Sequence, residues 1–470
     1  MTHHVAVPFW LLLIVAALAL WAFIEHFLTP SVRWFFRRRV NKVIDEINTR
    51  LNIEIPSFKL TRREVVIDRL FHDPVIQRAA QNWRNETNAS EEETKSKVDR
   101  YAREIVPSFN AYLYFRLGYR CAKGFVKFLY RVRLGYSDSQ SLASVNPKSS
   151  VVFVMNHRSN MDYILVAFLA AERTALSYAV GEWARTWPLQ ALLRSLGAYF
   201  VRRNSKDKLY RAVLQRYVQM ATEGGVCQAV FPEGGLTIDG KLRMPKLGLI
   251  DYMVKNFDPN SERDLVFVPV GVNYDRVLED RTLLLKQNDH VAVPGILYAL
   301  FTSFKFLLKN VWRMITGRWY RFGYACVNFG PPLSMRRYAS EQTVDFRAMN
   351  EEQRHAEVEQ LARRLMGEIG RVVPVTPVAL VASVFAQNPE KSFSELELKF
   401  AAYGLMTRLE GQGAHLYVPR QDHDYAITVG LRMLILRDLV SERNGLFTVS
   451  ASELSLLQYY ANSIAHFIKG

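Results

Sequence analysis

Cysteine and acid are the scarce residues here. Three cysteines in 470 residues (Cys121, Cys227, Cys326) are too few and too far apart for a disulfide framework, and their spacing gives no metal-ligand pattern. They fit a reducing compartment or plain core packing. Acids number 45 against 61 Lys and Arg, which leaves a net charge of +16 and an isoelectric point near 9.7. Such a surplus favours an anionic partner, whether phosphate, nucleic acid or acidic lipid headgroups. Helix-turn-helix, zinc and RNA-binding motifs are absent, so nucleic acid is not expected. Gly-x-Ser-x-Gly is absent too, which removes the nucleophile elbow of serine hydrolases. Internal repeats and low-complexity tracts are missing. Mean hydropathy of −0.06 is too low for a polytopic membrane protein. What is present is globular in kind: 49% hydrophobic and 23% charged residues exclude a largely disordered chain. The length suits about three units, or one large α/β core with a helical appendage.

One long apolar run does occur, over residues 5–24 (VAVPFWLLLIVAALALWAFI). Twenty helical residues reach ~30 Å, the thickness of a bilayer core. Met1-Thr2-His3-His4 supplies no basic n-region, and the run is long for a signal peptide. The reading is an uncleaved anchor rather than a cleaved leader or a buried helix. Arg33, Arg37, Arg38, Arg39 and Lys42 follow, which places the remaining chain in the cytoplasm.

Residues 81–100 hold almost no apolar side chains and read as an exposed loop or a solvated helix. Residues 105–136 carry no acid; Arg116, Arg120, Lys123, Lys127, Arg131 and Arg133 alternate with aromatics. That pattern suits a packed helix with a charged face or an interfacial membrane helix. Residues 291–340 form a second acid-free stretch, with seven Lys or Arg and eleven aromatics. Between them, short apolar runs at residues 151–155, 198–201, 228–231 and 265–270 read as buried strands, with helical patterns such as residues 208–223 between them. Cys326-Val327-Asn328-Phe329 looks like a closing strand. The expected fold is α/β, a central mostly parallel sheet flanked by helices, followed by a mainly helical C-terminal region.

The sharpest feature is Asn156-His157-Arg158-Ser159-Asn160-Met161-Asp162, directly after the first of these strands. Ligands in open α/β sheets gather at the carboxyl ends of strands. On a regular helix, five residues would leave His157 and Asp162 ~140° apart. They face each other only if loop turns into helix between them. Asp162 would then fix the tautomer of His157 and leave its other nitrogen to accept a proton. Gly197 to Arg203 ends in Arg202-Arg203, adjacent cations that suit a phosphate or a plain exposed strand end. Phe231-Pro232-Glu233-Gly234-Gly235 is a further strand end, with glycines that permit close backbone approach, and Lys241, Arg243 and Lys246 follow.

As a set in this order, His-x4-Asp, Gly-x-x-Phe-x-Arg-Arg, Phe-Pro-Glu-Gly and Val268-Pro269-Val270 resemble the glycerolipid acyltransferase family. Arg158-Ser159 and Arg202-Arg203 are similar to its glycerol-3-phosphate branch. Residues 112–135 and Gln458-Tyr459-Tyr460-Ala461-Asn462-Ser463-Ile464 resemble the large bacterial, membrane-bound members. Where that family continues its Glu-Gly-Gly block with arginines, this chain has Leu236 and Ile238. Arg158, Arg202, Arg203, Lys241 and Arg243 are the cations left to bind phosphate.

The resemblance implies acyl transfer from acyl-CoA or acyl-carrier-protein to the sn-1 hydroxyl of glycerol 3-phosphate, giving 1-acyl-sn-glycerol 3-phosphate, the first step of phospholipid biosynthesis. His157 would be the base and Asp162 its orienting partner. Arg158, Ser159, Arg202, Arg203, Glu233, Gly234, Gly235, Lys241 and Arg243 would bind substrate, with Glu233 on a glycerol hydroxyl. No metal or other cofactor is expected. Dihydroxyacetone phosphate or lysophosphatidate are alternative acceptors, and a non-catalytic basic membrane scaffold is the alternative from another class. The chain divides into an anchor (1–30), an N-terminal helical region (31–145), the catalytic domain (146–340) and the C-terminal region (341–470). The expected location is the bacterial inner membrane, on anionic lipids, with the catalytic domain facing the cytoplasm.

Overall fold

The computed structural model describes residues 56–170, 175–181, 189–202, 205–285 and 322–468. The apolar run over residues 5–24, Arg203 and residues 291–321 of the second acid-free stretch lie outside the described residues. Among the described residues, no helix is long and apolar enough to cross a membrane.

Among the described residues, eight strands make one sheet: β1 (Arg131–Ser137), β2 (Ser150–Met155), β3 (Ser177–Val180), β4 (Tyr199–Phe200), β5 (Gln228–Val230), β6 (Leu265–Tyr274), β7 (Tyr324–Phe329) and β8 (Leu333–Ser334). Their order is β1-β7-β6-β2-β5-β3-β4, with β8 also on β6. Pairing is parallel except where β7 and β8 meet β6. The described helices include α1 (Arg63–Phe71), α2 (Pro74–Thr87), α3 (Glu91–Ile105), α4 (Tyr119–Leu129), α5 (Met161–Ala170), α6 (Lys208–Glu223), α7 (Gly248–Val254), α8 (Glu351–Val372), α9 (Pro377–Gln387), α10 (Glu395–Gly411), α11 (His423–Ile435) and α12 (Leu454–Ala461). A small antiparallel sheet of β9 (Phe393–Ser394), β10 (Val440–Arg443) and β11 (Leu446–Val449) sits among the last of these, in the order β10-β11-β9.

β2 and β6 are buried at every position because helices cover both faces of the sheet. Side chains alternate between the faces. Val151, Phe153 and Met155 join Val266, Val268 and Val270 on one side, against α4, α5 and the helices α9 to α12. Val152 and Val154 join Leu265 and Phe267 on the other, against α1 to α3 and α6 to α8. Helix α9 is apolar on nearly every side and buried along nearly all its length, as a helix enclosed by other helices must be.

Two stretches differ in detail from the sequence reading. Residues 81–100 are helical but interrupted, since Asn88 adopts a left-handed conformation (φ 50°) that ends α2. Ser90 then opens α3 through a reciprocal capping box with Glu93. Residues 105–136 do not run as one helix. They end in β1, an edge strand paired in parallel with β7. Its residues are exposed or half-buried throughout, so the run lacks the apolar alternation that marks a strand.

Candidate active site

β2 ends at Met155, and the chain then turns sharply into α5. Asn156 makes the turn possible by continuing the pairing with its side chain. Its Nδ2 donates to Val272 O (2.9 Å) and its Oδ1 accepts from Val272 N (2.8 Å). His157 therefore leaves the sheet in loop conformation, while Asp162 stands in the first turn of α5. The loop-to-helix transition between them brings His157 Nδ1 and Asp162 Oδ2 to 2.9 Å, with both side chains at most 2% exposed.

Asp162 is held from every side. Its Oδ2 also accepts from Arg158 N (2.7 Å) and Ser159 N (3.0 Å), and its Oδ1 accepts from Tyr274 Oη (2.6 Å). Four donors at one carboxylate fix both its position and its charge distribution. Burial, and next the Asp162 charge, hold the Tyr274 phenol well above its ordinary range, so it stays a donor. The loop itself is tied down by Glu279, whose carboxylate accepts from Ser159 Oγ (2.7 Å) and Asn160 N (3.2 Å). On the opposite side, His157 N donates to Glu233 Oε1 (3.0 Å) and His157 O accepts from Thr237 N (3.0 Å). The imidazole stacks on Phe231 (centroids 4.0 Å apart) and meets the edge of Tyr163.

His157 borders a cavity of about 390 Å³, within the size range of small-ligand sites. Tyr163, Val180, Leu214, Leu249 and Ile250 give it an apolar side; Gly234 and Gly235 form part of its wall. Gly234 needs its φ of +68°, and a Cβ there would lie 2.5 Å from Lys246 Cδ. Asp162 stands behind His157 and is not among the residues that line the cavity.

The remaining residues singled out from the sequence separate into two groups. Arg158 is not at the cavity. It is 2% exposed, donates to Gly240 O (2.6 Å) and lies over the Tyr459 ring (4.7 Å). Glu233 is 1% exposed and committed to the backbone of His157, and burial pushes its carboxyl up to about 8. Ser159 is spent on Glu279. These three shape the loop rather than line the cavity. Arg202 does line it, but its guanidinium is bound in a fork by Glu104 (2.8 and 2.5 Å). Lys241 lies 3.9 Å from Asp239, and Arg243 donates to Leu236 O (3.2 Å). Leu236 packs against the core on the α5 side of the sheet, as an apolar residue in place of a cation should.

Sequence reasoning missed Tyr274, Glu279 and Arg211. Tyr274 closes β6 and reaches Asp162 across 112 positions, which no local pattern announces. Glu279 follows five residues later, and Arg211 reaches the cavity only because α6 packs beside it. The segment from Gln458 to Ile464, noted in the sequence, proves to be the outer brace of the site. Tyr459 covers Arg158, Asn462 Nδ2 donates to Asp239 O (2.8 Å), and Tyr460 Oη accepts from Val277 N (3.0 Å) while donating to Asp280. Gly240 must be glycine (φ +87°), since a Cβ would fall 2.0 Å from Tyr459 O.

Comparison with known proteins gives a consistent answer along the chain. The family described as "Acyltransferase" matches residues 137–273, and the family described as "Glycerol-3-phosphate acyltransferase C-terminal region" matches residues 304–468. A glycerol-3-phosphate acyltransferase of Xylella fastidiosa (strain M23) is 26% identical over 372 residues, 77% of this chain and 42% of that protein. Those of Shewanella woodyi and Pseudomonas syringae pv. syringae are each 25% identical, over 87% of this chain and 51% and 49% of theirs. The chain thus spans about half the length of the curated relatives it matches. A crystal structure of the 1-acyl-sn-glycerophosphate acyltransferase from Thermotoga maritima aligns with a TM-score of 0.30 at 16% identity, covering 71% of this chain and 97% of that one. The first family match contains the strand-end dyad and the second contains the helices that brace it, so two separate parts of the chain are similar to glycerolipid acyltransferases.

Proposed function

We propose that this chain transfers a fatty acyl group from acyl-CoA or acyl-carrier-protein to the sn-1 hydroxyl of glycerol 3-phosphate. The observation that carries this reading is the buried His157–Asp162 pair at the edge of the cavity. With Nδ1 bound to Asp162, Nε2 is the nitrogen left to meet a substrate. It takes the proton of the attacking hydroxyl as the oxygen bonds to the thioester carbonyl. The tetrahedral intermediate then collapses, the C–S bond breaks, and the departing thiolate receives the proton from His157. Ester and thiol are the products, and neither a covalent enzyme intermediate nor a metal enters the balance. The names of the relatives support glycerol 3-phosphate as acceptor. The apolar run over residues 5–24, with the cations after it, supports a place on the cytoplasmic face of the bacterial inner membrane, next to anionic lipids.

The test is full-length protein with glycerol 3-phosphate, dihydroxyacetone phosphate and lysophosphatidate as acceptors and both donor types. Glycerol 3-phosphate should give the highest kcat/KM, and His157→Ala should remove the activity. Preference for either other acceptor, or transfer that survives His157→Ala, would overturn the proposal.

A further inference from the structure

Among the described residues, three cations border the cavity: Arg202, Arg211 and Lys246. No aspartate or glutamate is among its described lining residues. The three are not equivalent. Arg202 is neutralised by the fork to Glu104 and sandwiched near the rings of Tyr101 and Tyr210, so its charge is already answered within the protein. Lys246 and Arg211 have no carboxylate partner among the described residues. Lys246 is anchored where it matters. Its backbone N–H donates to Pro232 O (2.7 Å), and its stem crosses Gly234, the residue after the glutamate that holds His157. Arg211 enters from the first turn of α6 and sits near enough to Tyr252 for its charge to act on that phenol.

We propose that Lys246 and Arg211 form the receptor for the phosphate of the acceptor substrate, and that Arg202 does not. This rests on the acyl-transfer reading above. Two positive charges without a carboxylate partner among the described residues match the charge of a phosphate monoester dianion. Phosphate also occurs on the acyl donor, but there a long arm separates it from the thioester. In the acceptor, phosphate and reacting hydroxyl are a few bonds apart. Cations that share a small cavity with His157 fit the acceptor. Lys246 follows the glycine turn within the same loop, and Arg211 belongs to an element outside all four sequence blocks.

The experiment uses full-length protein carrying Lys246→Met, Arg211→Met or both. Each single change should raise the KM for glycerol 3-phosphate about tenfold or more and the pair about a hundredfold, with the donor KM within about threefold of wild type, since each lost charge-assisted bond weakens phosphate binding. Lys246→Arg should restore most of the loss. An unchanged acceptor KM, or a rise confined to the donor KM, would overturn the assignment. A second arm needs no turnover: inorganic phosphate should raise the Tm of wild type and not of the double variant. Stabilisation kept in the double variant refutes the receptor. A wild type that phosphate stabilises but that acylates no acceptor refutes the proposed reaction while leaving the receptor standing.

Discussion

The loop after β2 and the cation-lined side of the cavity share one space and are built on opposite terms. Asp162 has four donors inside the protein, and the backbone on both sides of His157 is bound to neighbouring elements. Lys246 and Arg211 are left to solvent. The first region is complete before substrate arrives, so no reorganisation is needed at the moment of proton transfer. The second is completed by substrate. Damage to the first should therefore reach turnover and stability together, and damage to the second should reach KM alone.

The largest effect should come from His157 and Asp162. His157→Ala is expected to lower kcat by about 10²- to 10⁴-fold, the usual share of a general base, and to lower the Tm as well, because Asp162 loses a donor and Phe231 its stacked ring. Asp162→Asn should cost comparable turnover and also lower the Tm, because an amide cannot accept from all the donors that converge there. Turnover and thermal unfolding of both variants check this. An Asp162→Asn protein as stable as wild type would break the contrast between the two regions.

Tyr274→Phe sharpens it. The change leaves Asp162 Oδ1 buried without a donor, a cost of about 1–3 kcal/mol. Asp162, held by one bond fewer, orients His157 less firmly, so kcat should fall several-fold while both KM values change little. A merely structural tyrosine would lower the Tm and leave kcat in place.

Glu233→Gln should act on the pH dependence of stability. The folded carboxyl is raised to about 8 from an ordinary 4.5, chiefly by burial. Between those values the folded state holds a proton that the unfolded state has released. Wild-type stability contributed by this group is therefore full below 4.5 and declines as pH rises toward about 8. The glutamine variant should lack that decline in urea unfolding followed across the range. Smallest of all should be Arg202→Gln, which is expected to lower the Tm slightly by abandoning Glu104, with at most a few-fold change in acceptor KM. A loss of acceptor binding equal to that of Lys246→Met would erase the distinction drawn between paired and unpaired cations.

Much of the fold was legible because residues 151–155 of β2 and 265–270 of β6 are buried on both faces and therefore appear as unbroken apolar runs. The bounds of α6 matched residues 208–223 for the same kind of reason, an apolar stripe opened by the Asp207 cap. β1 was not legible, since an exposed edge strand carries no such stripe. His157 and Asp162 could be found from spacing and position, but the inward turn of Arg158 could not. That depends on the ring of Tyr459, which lies some three hundred positions away. The same holds for Arg202, whose partner Glu104 is 98 residues earlier. Neighbour identity at that range is set by packing, and one sequence does not record it.

The brace from α12 has a consequence for how the protein comes into being. Residues 459, 460 and 462 contact the sheet-bearing part of the chain at Arg158, Val277 and Asp239. A ribosome that has just made the loop after β2 still has some three hundred residues to add before these contacts exist. Long-range closure of this kind is slow and leaves apolar strands uncovered in the interval. The nascent chain therefore carries the loop of His157 without its outer brace. Acyl transfer should switch on late, only after synthesis has passed residue 462.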